Sequence, residues 1–168
     1  MSREDENIGP LTGVRVLDLT INVLGPVATQ ILGDLGAEVI KVETPSGDPM
    51  RLIGSSKTGM LGPFFQTTNR NKKSVVLDLK KIEEKNALLK IAGSCDVFVH
   101  NMRQAATERL GIDYKNLRKA APNIIYASAT GYRRNSPKDG RPAYDDVIQG
   151  ESGLVDLIDK TNGEARFV

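Results

Sequence analysis

The sequence predicts an α/β fold built on a doubly wound parallel sheet, and three observations carry that expectation. Short β-branched and apolar runs recur along the chain, stretches of helical periodicity separate them, and glycines stand where several of those helices should stop.

Val14–Leu19 reads as a strand of the kind buried on both faces, and Thr20–Gly25 as the loop that leaves it. Pro26 suits a first helical turn, where its missing N–H has no intrahelical partner to lose. Ala28, Ile31, Leu32 and Leu35 follow at helical spacing as one apolar stripe, the pattern of a core-facing helix, and Gly36 ends it. Glu38–Glu43 is the next strand, which completes a βαβ unit of nearly fixed handedness. Pro45–Leu61 is loop-like, glycine-marked and long enough to suggest a functional or mobile segment. The alternation then resumes. Ser74–Leu79 is a strand, Ile82–Ala92 a helix stopped by Gly93, and Asp96–His100 a strand. Helices over Gln104–Leu110 and Tyr114–Ala121 precede a strand at Ile124–Ala129. Asp145–Ile158 reads as one helix despite Gly150 and Gly153, and Arg166–Val168 as a strand beginning after a turn. Met1–Gly9 is a polar, acidic lead-in.

The 168 residues suit one domain with a real core. Lys and Arg number 23 against 21 Asp and Glu, a net charge of +2, so the strong basic excess of a nucleic-acid or anionic-membrane binder is missing. Apolar runs are too short to span a bilayer. One cysteine, Cys95, excludes an intrachain disulfide and points to a reducing, cytoplasmic setting; it reads as a small core residue.

In a doubly wound sheet, ligands sit beyond the carboxyl ends of the strands, which selects the loops Thr20–Gly25, Thr44–Thr68, Asn101–Gln104 and Gly131–Tyr144. The first lacks the G-x-G-x-x-G fingerprint of a dinucleotide site. By itself it is a plain βα turn that offers one anionic group a helix N-terminus. There is no G-x-S-x-G elbow, and His100 is the only histidine, so a Ser–His triad or histidine-based metal site has almost no material and no metal is expected. His100 falls at a strand end and reads as structural. The run Arg70–Lys73 reads as a solvated turn, whereas Lys80 and Arg109 stand near the ends of elements and could each reach a phosphate.

Taken in order, several segments resemble the family III CoA-transferases, which include formyl-CoA transferase, carnitine CoA-transferase and the α-methylacyl-CoA racemases. They are Gly9–Asp18, Gly25-Pro26, Leu32–Glu43, Gly47–Arg51, Asn69–Val75, Asp96–Asn101, Glu108–Gly111, Ile125–Ser128 and Gly131-Tyr132, with Tyr144-Asp145 and Gln149 behind them. The resemblance implies the N-terminal portion of such an enzyme: a Rossmann-like CoA-binding α/β domain over residues 1–168, incomplete relative to the full family fold and without its second domain. It implies no tightly bound cofactor, coenzyme A or acyl-CoA as substrate with a small carboxylic acid as partner, and an interlocked homodimer for a complete member. By position it assigns Asn22, Val23, Leu77, Lys80, Asn101, Met102 and Arg109 to the CoA site. Lys80 and Arg109 would meet phosphates, and Leu77 and Met102 would give apolar contact to adenine or the pantetheine arm. Thr130 stands where many relatives carry a basic residue.

The family's mechanism uses an aspartate whose carboxylate attacks the acyl-CoA thioester, with covalent intermediates in two half-reactions. The resemblance places that aspartate beyond Val168. Asp145, Asp146, Asp156 and Asp159 do not match its context, so no catalytic residue is assigned and the chain alone is expected to be an inactive CoA-binding portion. Tyr144 stands where the racemases carry a histidine for proton transfer, and a phenol of unperturbed pKa ~10 is a poor replacement. That favours transferase over racemase. Apolar surface that later chain would cover is expected to lie exposed.

Overall fold

The computed structural model describes residues 9–57, 59–162 and 167. The expected lead-in before Gly9, and Arg166 and Val168 of the expected last strand, lie outside the described residues. The chain divides into two compact units, Met1–Ala129 and Thr130–Val168.

The first unit is a five-stranded parallel sheet in the order β3-β2-β1-β4-β5. Its strands are β1 Arg15–Leu19, β2 Glu38–Glu43, β3 Lys72–Val76, β4 Val97–His100 and β5 Ile125–Ser128. Helices α1 Leu24–Asp34, α3 Ile82–Ala92, α4 Gln104–Leu110 and α5 Tyr114–Ala120 connect them, with a 3-10 turn at Pro49–Leu52 and a short helix, α2, at Pro63–Thr68. The expected α/β class and parallel, doubly wound sheet are therefore present.

The two faces of the sheet differ in chemistry. Strand residues alternate sides, and one face sends Leu17, Leu19, Val42 and Phe98 into a core closed by Leu88, Ala92, Ile112, Leu117, Ala121 and Ile124 from α3, α5 and their flanks. The opposite face holds a small apolar cluster of Val16, Ala37, Val39 and Val99. Alternate positions on that face, Asp18, Lys41 and Glu43, are charged and buried.

Four expectations are corrected. Strand β3 starts at Lys72, not Ser74, because Val39 pairs with Lys72 and Glu43 with Val76. It stops where Asp78 turns the chain, its carboxylate accepting from the Lys80 N–H and its carbonyl from the Lys81 N–H. Helix α2 was not expected, although Pro63 stands at its first turn directly after Gly62. The helix expected over Asp145–Ile158 is two helices, α6 Asp145–Glu151 and α7 Leu154–Asn162, parted by Gly153 at φ 78°; a left-handed residue cannot continue an α-helix.

The fourth concerns α1. The stripe Ala28, Ile31 and Leu35 does not face the core: Ile31 is 52% and Leu35 41% exposed. The helix buries Gly25, Pro26, Thr29, Gln30 and Gly33 instead. Leu32 alone of the stripe packs on the apolar cluster of that face. Exposed apolar surface is present elsewhere too, at Val76 and Ile125 on the two outer strands and at Leu157 of α7, as the sequence leads one to expect.

Phe98 is fully buried and stacks on Tyr126 with ring centroids 5.2 Å apart. Phe98→Ala should lower stability by about 3–5 kcal/mol, read as a reduced denaturant midpoint at unchanged slope.

Candidate functional site

Strand β1 lies between β2 and β4, so the connections leaving β1 and β4 depart in opposite directions. The crevice at their carboxyl ends is the topological switch point, where open α/β sheets bind ligands. Thr20–Val23 leaves β1 there, and Asn101–Arg103 leaves β4.

Asn101 clips the two loops together. Its Oδ1 accepts from the Ile21 N–H at 3.0 Å and its Nδ2 donates to the Ile21 carbonyl at 2.8 Å, as a second backbone would. Asn22 follows in the left-handed region at φ 67°, which asparagine tolerates better than most residues. Gly25 then lets α1 start close against the loop, since a Cβ there would sit 2.4 Å from Thr20 Cβ.

Beneath this loop lies a buried polar network. Asp18, fully buried, accepts from the Thr20 N–H and hydroxyl at 2.8 and 2.6 Å and from the Thr29 hydroxyl at 2.6 Å. Lys72 closes it with its ammonium 3.0 Å from Asp18 Oδ2, also donating to the Pro26 carbonyl, Thr29 Oγ1 and Asn69 Oδ1. Lys72 is thus no part of a solvated turn; its side chain is 2% exposed, and burial pulls its pKa down against the pull of Asp18. One strand over, Lys41 donates to the Thr20 carbonyl at 2.8 Å and pairs with Asp48 at 2.9 Å. Glu43 receives Arg51 through two bonds of 2.7 Å and the Ser74 hydroxyl at 2.7 Å. Burial pushes the Glu43 carboxyl up, but Arg51, Ser74 and the Asp48 N–H outweigh it and hold the pKa at about 2.

The structure brings four of the seven sequence-assigned residues to one place and leaves Lys80, Arg109 and Leu77 elsewhere. Asn22 and Val23 share the switch point with Asn101, and Met102 follows directly, its N–H donating to His100 Nδ1 at 3.2 Å. Val23 is exposed and stands immediately before α1, open to a ligand. Lys80 and Arg109 lie outside the loops that leave β1 and β4. Lys80 precedes α3 and Arg109 closes α4, while the Cβ position of Gly111 is 3.6 Å from Lys85 Nζ, so the end of α4 lies beside the first turns of α3. Both are exposed, and among the described residues neither head group has an ion-pair partner. Leu77 is buried in the main core, and Met102 packs half-buried against it.

His100 is structural in its surroundings. It is 2% exposed, packs against both Phe98 and Tyr126, and its Nε2 has no hydrogen-bond partner among the described residues. Burial pulls its pKa down to about 4. Cys95 packs half-buried on the core with its thiol on the Ile91 carbonyl, and burial raises its pKa, the opposite of an activated thiol. Among the described residues no group of three or more His, Cys, Asp or Glu could hold a metal, and no helix is long and apolar enough to cross a membrane.

In the second unit, Thr130 Oγ1 donates to the Tyr132 carbonyl at 3.2 Å, Lys138 pairs with Glu151, and Tyr144 stands exposed immediately before α6.

The residues that sequence reasoning missed are Asp18, Lys41, Asp48, Glu43 and Lys72. A signal existed: charges at alternate positions of Glu38–Glu43, with Asp18 in register opposite Lys41, demand partners if the strand is central.

Among the groups that make the fold acid-sensitive, His100 and Glu43 are depressed furthest. Unfolded His100 would titrate near 6.5 and folded His100 near 4, so the unfolded chain binds more protons between those values and stability falls as pH drops from about 6.5 to 4. Glu43, depressed from 4.5 to about 2, stabilises the fold above 4.5 and loses that contribution as pH falls toward 2. Melting temperatures measured across this range should therefore fall in two overlapping steps. His100→Phe should flatten the upper step and Glu43→Gln the lower.

Residues 11–167 match the profile of CoA-transferase family III. The chain is 42% identical over 159 residues to human succinyl-CoA:glutarate CoA-transferase, covering 94% of this chain and 36% of that protein. It is 40% identical over 148 residues to acetyl-CoA:oxalate CoA-transferase of Acetobacter aceti, covering 88% and 38% respectively. Among solved structures, a CaiB/BaiF family protein from Brucella suis superposes with a TM-score of 0.89 at 34% identity, over 95% of this chain and 43% of that one. The Mycobacterium tuberculosis protein Rv3272 superposes at 0.86 and 42% identity, over 95% and 45%. The chain thus spans well under half the length of these relatives.

Proposed function

The chain belongs to CoA-transferase family III, and from that premise we propose that it is the CoA-binding portion of an acyl-CoA:carboxylate CoA-transferase. The observation that carries this reading is the clip between the loops after β1 and β4, which brings Asn22 and Val23 beside Asn101 and Met102 at the switch point. Four of the seven residues assigned from the sequence are neighbours there.

The physical roles follow from what each residue offers. The exposed Val23 and half-buried Met102 present apolar surface to the uncharged part of the ligand. Lys80 and Arg109 present cations with no competing ion pair among the described residues, suited to phosphate oxygens. Leu77 contributes by shape, since its side chain belongs to the core and packs beneath the end of β3.

Acyl-CoA and a small carboxylate are the substrates this reading assigns, as the names of the human and Acetobacter relatives suggest. Coenzyme A is bound as substrate and not as a resident cofactor. A cytoplasmic homodimer is the setting proposed for the whole protein. Residues 1–168 supply binding, and the nucleophilic carboxylate of the family lies outside them, so this chain alone is proposed to bind CoA without turning it over.

Titration calorimetry with CoA tests the reading. Binding should weaken about tenfold or more in Lys80→Ala and in Arg109→Ala, as expected for loss of a charge-assisted contact of roughly 1.5–3 kcal/mol. Unchanged affinity in both variants overturns the phosphate assignment, and binding of NAD in place of CoA overturns the ligand class.

A further inference from the structure

The segment after β1 is not held by β1 alone. The Lys41 ammonium, 1% exposed, sits between the Thr20 carbonyl at 2.8 Å and Asp48 Oδ2 at 2.9 Å. Asp48 is equally buried and uses its other oxygen twice, accepting from the Met50 N–H at 3.0 Å and from the Asn22 N–H at 3.4 Å. Its own N–H donates to Glu43 Oε2 at 3.1 Å. One ion pair therefore grips the chain on both sides of Ile21, while Asn101 holds Ile21 itself. Asn22, between these grips, has a left-handed backbone that is costly for a residue free to relax.

A charge pair buried to this degree is a poor means of adding stability, because desolvation offsets most of its attraction. What it does supply is geometry: a hydrogen bond to the Thr20 carbonyl and a short ion pair to Asp48 that hold only if both stay in place. We infer that Lys41 and Asp48 are positioning residues for ligand capture, fixing Thr20–Val23 in its binding shape and joining it to the 3-10 turn at Pro49–Leu52. The inference rests on the reading of this loop as part of the CoA site. It adds to that reading two residues that touch no ligand, and a coupling between the first loop and the one after β2.

The double variant Lys41→Met/Asp48→Asn separates positioning from stability. It leaves no unpaired buried charge, and the asparagine Oδ1 can still cap the turn through Met50. Amide hydrogen exchange should show Ile21–Leu24 opening at least tenfold faster, with Val16, Leu17 and Val39 of the sheet unchanged. The dissociation constant for CoA, read by calorimetry on the same samples, should rise at least tenfold. A purely structural pair would move neither reading in a variant that keeps its melting temperature, and unchanged loop exchange or unchanged CoA affinity overturns the inference.

The unmutated chain offers a second test that does not depend on how the variant folds. The Asn22 and Met50 amides share one acceptor oxygen and should open with the same free energy; exchange of Asn22 at the rate of an unstructured peptide overturns the coupling. Titration of the unmutated chain with CoA comes first, so that absence of binding, which defeats the reading of the site, is told apart from failure of the positioning pair.

Discussion

The structure turns on a carboxylate with no access to water. Asp18 stands in the middle strand of the sheet, and burying its charge unpaired would cost more than a small domain's whole stability margin. It is satisfied by the Thr20 backbone, two hydroxyls and the Lys72 ammonium. Those partners come from three places: Thr20 at the exit of β1, Thr29 of helix α1, and Lys72, the first residue of β3. Asp18 therefore fixes the βα turn, the depth of α1 and the start of the outer strand at once. Removing either member of such a pair leaves the other charged and buried, which typically costs on the order of 3–5 kcal/mol.

The same logic extends across the face. Asp18, Lys41 and Glu43 are not dispersed at random but lie on neighbouring strands with Asp18 in register opposite Lys41. Arg51 reaches Glu43 and stacks 3.8 Å from the centre of the Phe65 ring, so one guanidinium ties the turn after β2 to helix α2. The apolar core lies on the other face, with α3 and α5. One side of the sheet supplies cohesion by area; the other specifies where loops go, since hydrogen-bonded charges tolerate little displacement. The loops above the polar side are held at their backbone atoms, which leaves exposed side chains such as Val23 to face outward.

The sequence showed the fold because its main signals are local. Apolar strand runs, helices of suitable length and glycine stops all report on neighbours a few residues apart, and the parallel order follows from the handedness of each βαβ step. Errors arose where a distant partner decided the outcome. Lys72 and Lys73 looked like part of an exposed basic turn until Val39 and Ile40 paired with them as strand. Gly153 was absorbed into a helix because its backbone angle is invisible in a pattern of apolar spacing. Of the residues that the resemblance assigns by position to one site, Asn22, Val23, Asn101 and Met102 lie on the loops after β1 and β4, which Asn101 joins through Ile21. Lys41, Asp48 and Asp18, which hold the first of those loops, lie within the ordered segments, but their pairing becomes visible only when β1 and β2 lie side by side with Asp18 opposite Lys41.

Helix α1 shows most directly why periodicity alone misleads. Its largest apolar side chains make the stripe that helical spacing selects as the buried face. Yet the sheet surface beneath it carries Asp18 and Lys72, and a leucine pressed on that pair would deprive charged groups of partners. The helix instead turns inward the residues that can meet a polar floor: Thr29 for its hydroxyl, the Pro26 carbonyl as an acceptor for Lys72, and Gly25 and Gly33 for close approach. A Cβ at Gly33 would already lie 3.3 Å from the Asn71 carbonyl oxygen. Packing distance and hydrogen-bond demand outweigh the pull of the apolar stripe here, and Ile31 and Leu35 are left outward as the consequence. The choice is made by the sheet and not by the helix.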